Sequence, residues 1–157
     1  MKQSESDREI VDRMAAGALC REGFLGTDAR ALSEILEADR AAVERLGVSN
    51  RQLAGRLAEI LLSATAAMGA PVEVGENLRA LYREAMGRIP CPWGHGLCFP
   101  KGEAELTDPA SGRTICFSPL SVHLIGEHGF YQGRGSRYRL EPEVVCAVLK
   151  LSGAAGE

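Results

Sequence analysis

The sequence has no long apolar run and no surplus of positive charge, and each absence excludes a class of protein. None of its apolar stretches approaches the roughly 18 residues that a membrane-spanning helix requires, so we expect no membrane association. The first nine residues also lack the apolar segment of a signal peptide, which favours the cytoplasm. Because the net charge is −3, we do not expect the chain to bind the phosphate backbone of nucleic acid.

Cysteine is scarce, and the motifs of several common enzymes are missing. Five cysteines are an odd number, and in a reducing compartment they argue against a disulfide scaffold. The chain contains neither the H-E-x-x-H motif of zinc proteases nor the serine elbow of hydrolases. Gly133-x-Gly135 lacks the preceding strand and the third glycine of a dinucleotide-binding loop. We therefore expect a protein that binds rather than one that catalyses.

What remains is a chain of 157 residues with ordinary globular composition, 45% hydrophobic and 25% charged. Such a chain forms about one domain with a packed core. Apolar residues recur at helical spacing in the first half, which predicts a helical region over residues 1–87. One helix is predicted to start at Thr27 or Asp28, and another to place Leu78 and Met86 on its inner face.

Two serines stand where helices are predicted to begin. Ser49 and Gln52 have the spacing of a capping box, in which each side chain binds a backbone N–H at the helix start. Ser118 is followed by proline, and Gly129 stands ten residues further on, where a helix would end. These signals predict a helix over about residues 119–128.

The pattern changes in the second half, residues 88–151. Proline and glycine are too dense for a helix over residues 90–102, which predicts a knuckle of turns. Two short strand-like stretches flank a turn at residues 108–112 and predict a β-hairpin. Apolar spacing over residues 144–151 favours a last helix over a strand, and residues 152–157 are predicted to form a flexible tail.

Cysteine and histidine side chains cluster in this second half. Cys91 and Cys98 lie in the knuckle before the hairpin, and His123 and His128 lie in the helix after it. This order resembles the ligand layout of the Cys2His2 zinc fingers. The resemblance implies a structural zinc ion held by these four residues. It also implies an α+β fold, in which an N-terminal helical array packs on a zinc-clasped, ββα-like unit of hairpin and helix.

The ligand set has an alternative. Six residues separate Cys91 from Cys98, whereas two to four separate the cysteines of the family. His95 could replace Cys98 and give a site with one sulfur and three nitrogens. Such a nitrogen-rich site could keep an open position for water.

A basic loop over residues 133–139 is a second candidate site. Arg134, Arg137 and Arg139 could bind a phosphate or an acidic partner through charge-assisted hydrogen bonds. Equally, the loop could be solvated, with its arginines paired to Glu141 and a neighbouring glutamate.

These observations favour a small cytoplasmic zinc-binding protein that acts as a binding or regulatory module, with an unknown protein or a small anionic ligand as its partner. One alternative is a metal-dependent hydrolase in which Glu127, beside His128, acts as a base. Another is a helix-turn-helix regulator that uses residues 47–57. The zinc-finger mode of reading DNA is not expected, because Leu120 and Val122 near the helix start cannot donate hydrogen bonds to bases.

Overall fold

The computed structural model of the chain describes residues 5–151, so the predicted tail at 152–157 lies outside the described residues. The helices are Glu5–Met14 (α1), Leu32–Arg45 (α2), Asn50–Ala66 (α3), Pro119–His128 (α4) and Pro142–Leu149 (α5). The strands are Val72–Val74 (β1), Leu78–Arg83 (β2), Arg88–Pro90 (β3), Cys98–Pro100 (β4), Glu103–Asp108 (β5) and Arg113–Phe117 (β6). The expectation of an α+β fold is confirmed. Within residues 5–151, none of the helices has the length and apolar character needed to cross a membrane.

Four of the strands form one antiparallel sheet in the order β1-β2-β5-β6, and β3 pairs with β4 in a separate two-stranded sheet. In β2, which pairs with β5, every second residue is buried: Leu78, Ala80 and Tyr82. The prediction of a helix over this segment is therefore wrong. Leu81 is also apolar, and with it the segment matches the helical spacing as well as the strand spacing. The four-stranded sheet therefore contains strands from both sides of residue 87, where the predicted helical region ends.

The prediction of a helix start at Thr27 or Asp28 is also wrong, because α2 begins at Leu32. Asp28 instead accepts hydrogen bonds from the Arg30 side chain, at 2.9 Å and 2.6 Å, and from the backbone N–H of Arg134 at 3.1 Å. The Arg30 guanidinium holds the pKa of the Asp28 carboxyl well below its usual range. Asp28 therefore stabilises a loop and does not cap a helix.

Both serine-marked helix starts are confirmed. Ser49 forms a reciprocal capping box with Gln52 at the start of α3, with bonds of 2.8 Å and 3.1 Å. Ser118 does the same with Ser121 at the start of α4. Helix α4 ends at Gly129, whose φ of 61° is left-handed and costs glycine little. The hairpin β5–β6 and helix α5 also form as predicted.

The buried apolar residues form two clusters. The larger lies between α3, α5 and the four-stranded sheet, and includes Leu57 and Phe117. The smaller joins α1, α2 and α4 to β3, and it includes Met14, Leu124 and the thiol-bearing Cys91. The start of the predicted knuckle is therefore part of a hydrophobic core, which fixes where its side chains point.

Two loops that are distant in sequence cross at the edge of the smaller cluster. The N–H of Gly133 donates to the carbonyl of Phe24, and the N–H of Thr27 donates to the carbonyl of Arg134, both at 2.9 Å. Gly133 has no space for a side chain, because a Cβ there would overlap the carbonyl group of Leu25. The crossing therefore fixes the N-terminal loop against a segment more than a hundred residues later.

Candidate metal centre

The knuckle between β3 and β4 brings Cys91 and His95 to one side of the chain. Pairing of the two strands returns the backbone on itself, and the N–H of Cys91 donates to the carbonyl of Leu97 at 3.0 Å. Gly94 and Gly96 take φ values of 82° and 86°, which a residue with a side chain rarely adopts. These glycines allow a tight turn in which two ligand-type side chains face the same point.

Helix α4 supplies two imidazoles. His123 and His128 are five positions apart, which is about 140° around an ideal helix. Their rings nevertheless converge, because His128 is the last residue before the left-handed end of the helix. The indole of Trp93 stacks on the His128 ring, with centroids 4.2 Å apart and planes 9° apart. This contact fixes the orientation of the ring toward the knuckle.

The four ligand atoms of Cys91, His95, His123 and His128 all lie within 4.8 Å of one another. The Nε2 atom of His95 lies 2.9 Å from Nε2 of His123 and 3.4 Å from Nε2 of His128. The Cys91 Sγ atom lies 3.5 Å from Nε2 of His128. Tetrahedral zinc with ordinary bond lengths separates two nitrogens by about 3.3 Å and a nitrogen from a sulfur by about 3.6 Å. The 3.4 Å and 3.5 Å distances are close to these values and the 2.9 Å distance is shorter, so the four residues could hold a metal ion.

Hydrogen bonds between the side chains explain two of these three short distances. Leu97 N–H lies 3.3 Å from Nδ1 of His95, which leaves a hydrogen on Nε2 for the contact with His123. The Cys91 thiol can donate to His128. In this arrangement of hydrogen bonds, no hydrogen lies between the Nε2 atoms of His95 and His128, which are 3.4 Å apart. A cation bound to all four atoms would take the place of these protons.

Burial sets the charge of the group. It lowers the pKa of His128 to about 4, with the neighbouring His123 and His95 contributing, and it lowers the pKa of His123 as well. Both rings are therefore neutral near pH 7, so their lone pairs are available to a metal. Burial also raises the pKa of the Cys91 thiol, although a hydrogen bond from the Trp93 backbone works in the other direction.

The structure does not bring Cys98 into the group. Cys98 is exposed on β4, while His95, the alternative ligand, takes the fourth position. The sequence spacing is the signal that could have identified His95 as the fourth member of the group. Three residues separate Cys91 from His95, whereas six separate it from Cys98. A gap of three lies within the two to four residues typical of zinc knuckles.

One side of the cluster is open. A cavity of about 410 Å³ is lined by the three histidines, Leu97 and Glu127. His95 is exposed, whereas Cys91 is only 2% exposed. The sulfur therefore lies on the core side of the group and the imidazoles lie on the solvent side.

The basic loop does not form a free cluster of three arginines. The Arg139 guanidinium binds Asp39 through two bonds, of 2.6 Å and 2.9 Å, and also binds Glu141. Arg137 binds Glu103 at 2.7 Å. Arg134 alone is exposed without a salt bridge to any residue in the described range. Two of the three arginines therefore stabilise the fold. The pairing of Arg139 with Glu141 agrees with the alternative in which arginines of this loop pair with nearby glutamates.

Comparison of the chain with protein-family models, with curated proteins and with solved structures finds no match in any of the three.

Proposed function

We propose that this protein is a small zinc-binding module in which the ion has a structural role and the folded surface binds a partner. The observation that carries the proposal is the convergence of four protein ligand atoms within 4.8 Å. One sulfur and three imidazole nitrogens suit zinc better than magnesium or calcium, which prefer oxygen. Four protein ligands are typical of structural zinc sites, whereas catalytic sites keep a position for water.

The ion would connect the knuckle to helix α4. Gly94, His95, Gly96 and Leu97 are all exposed, so the far end of the knuckle buries little apolar surface. It contacts α4 through the stack of Trp93 on His128 and through the approach of His95 to His123 and His128. A bound ion adds bonds where hydrophobic packing is weak, which is the usual role of zinc in small units.

We predict that the purified protein contains about one zinc ion per chain. Cys91→Ser and His123→Ala should each lose most of it, because each removes one of the four ligands. Cys98→Ser is the matched control and should retain zinc, because Cys98 is exposed and outside the group. Elemental analysis after gel filtration in chelator-free buffer measures the content. A folded wild-type protein without metal, or loss of zinc in Cys98→Ser alone, would contradict the proposal.

A metal-dependent hydrolase is the second candidate, favoured by the cavity that Glu127 shares with the three histidines. In that mechanism one ligand position would be open, and the Glu127 carboxylate would accept a proton from a metal-bound water. The structural role is preferred because four protein residues can each supply a ligand atom to one ion, so that no position has to be filled by water.

Cobalt substitution separates these two functions. We expect the Co²⁺ protein to show the intense visible absorption of a four-coordinate site and a sulfur-to-metal charge-transfer band. Glu127→Gln should leave both unchanged, because Glu127 does not belong to the ligand group. A weaker five-coordinate spectrum that changes with pH, and whose pH dependence is altered in Glu127→Gln, would instead favour the hydrolase.

A further inference from the structure

A second cavity, separate from the metal centre, lies beneath the loop that follows α1. Its volume is about 260 Å³, and it is lined by residues from that loop, from β3 and from the segment at 132–138. Its inner wall is apolar, since it is formed by Phe24, Ile89 and Leu120. All three side chains belong to the smaller buried cluster, so the wall is fixed by the core. An apolar ligand body would therefore meet a preformed surface.

Gln132 is one of the polar residues that line this cavity, together with Ser118 and Tyr138. Gln132 is 3% exposed and has a φ of 69°, which is unusual for a residue with a side chain. Its Oε1 atom accepts a hydrogen bond from the Ser136 hydroxyl at 2.6 Å, and its carbonyl accepts one from Arg139. Its Nε2 atom forms no hydrogen bond within residues 5–151, and because no fully buried side-chain nitrogen or oxygen there lacks a partner, this atom is open to the cavity that Gln132 lines. The amide therefore presents a free N–H donor to whatever occupies the space.

The rim of the cavity is positively charged. Arg21 and Lys101 are exposed at its edge, and neither forms a salt bridge with a described residue. Arg137 also lines the cavity, but Glu103 neutralises it at 2.7 Å. Glu22 supplies the opposing negative charge. The two cations without partners outnumber this single carboxylate, so the opening attracts an anion.

We propose that this cavity binds a small monocarboxylate with an aliphatic or aromatic body. The body would pack on Phe24, Ile89 and Leu120, while the carboxylate would accept a hydrogen bond from the Gln132 amide near the cations of the rim. A volume of 260 Å³ lies just below the usual range of roughly 300–1,000 Å³ for ligand pockets, which excludes nucleotides. A phosphate or sulfate would gain nothing from the apolar wall. This proposal uses no metal ligand and goes beyond the zinc-dependent role proposed above.

The test is calorimetric titration with octanoate and phenylacetate. We expect one binding site per chain. Octan-1-ol, which lacks the carboxylate, and acetate, which lacks the apolar chain, should each bind at least tenfold more weakly than octanoate. The double variant Arg21→Gln/Lys101→Gln should weaken octanoate binding at least tenfold. The matched double variant Arg79→Gln/Arg113→Gln removes the same charge from exposed positions on β2 and β6 and should bind normally.

Methyl NMR shows where the ligand binds. Octanoate should shift the signals of Ile89 and Leu120, which line the cavity, and leave those of Leu57 in the larger cluster unchanged. Absence of octanoate and phenylacetate binding at millimolar concentration would overturn the proposal. Equal binding of octanoate and octan-1-ol would do so too. The zinc content of every variant is measured in parallel, so that failure of this site is distinguished from failure of the metal site.

Discussion

Replacing Arg139 by methionine is expected to lower the free energy of unfolding by about 3–5 kcal/mol, which is the typical cost of leaving a buried charge without its partner. The Arg139 side chain is 9% exposed and that of Asp39 is 6% exposed, and their two hydrogen bonds measure 2.6 Å and 2.9 Å. Methionine fills similar space but removes both hydrogen bonds that Arg139 donates to the buried Asp39 carboxylate, which then has only the charge of Arg30 nearby. Urea unfolding followed by circular dichroism measures the change.

The chain provides a control for this prediction. Arg40 pairs with Glu37 and Glu44 on the exposed side of α2, where water screens the charges. Arg40→Met is therefore expected to cost only about 0–1 kcal/mol. The double variant Asp39→Asn/Arg139→Met should recover part of the loss, because it removes the buried charge. If Arg139→Met costs no more than Arg40→Met, the buried pair does not stabilise the fold as described.

The second large effect is expected from loss of the metal. In zinc-free Cys91→Ser, backbone amides over residues 88–100 should exchange with solvent at least about a hundredfold faster, equivalent to about 3 kcal/mol. The expected loss of about 3 kcal/mol is smaller than the roughly 10–16 kcal/mol that zinc contributes to the folding of small zinc-finger peptides. The loss is smaller because Ile89 remains packed in the smaller cluster without the metal. Amides of β2 and β5 should keep their protection, since they belong to the larger cluster.

Hydrogen exchange with mass spectrometry compares Cys91→Ser with Cys98→Ser, which removes a thiol outside the ligand group. Unchanged protection over residues 88–100 in the zinc-free variant would mean that packing alone holds the knuckle. Loss of protection throughout the sheet would mean that the two clusters cannot unfold separately.

Local signals predicted part of the fold. The Ser49 and Ser118 capping boxes and the hairpin turn before Gly112 depend on interactions within a few residues, and each is visible in the sequence. Strand β2 was not recognised, because its assignment depends on pairing with residues of β5 that lie twenty or more positions away. A short apolar segment cannot by itself distinguish a strand from a buried helix.

The residue types of the metal site could be predicted, but the choice between His95 and Cys98 required the turn geometry. Both lie in the knuckle, and only the glycine turn shows that His95 points toward α4 while Cys98 lies on an exposed strand. The carboxylate cavity had no local signal. It forms where the loop after α1 meets residues 132–138, and no sequence pattern links segments so far apart.

The pairing of Asp39 with Arg139 has a consequence for biosynthesis. The two residues are one hundred positions apart in the chain, and the loop crossing at Phe24 and Gly133 has a similar span. A ribosome adds about 5–20 residues per second, so Asp39 waits on the order of 5–20 s before its partner is made. During that interval Asp39 lacks the cation that donates hydrogen bonds to it in the folded protein, and it lies next to helix faces that still lack α4. The N-terminal helices therefore cannot reach their final packing until α4 and Arg139 have been synthesised, and until then their apolar faces are open to aggregation.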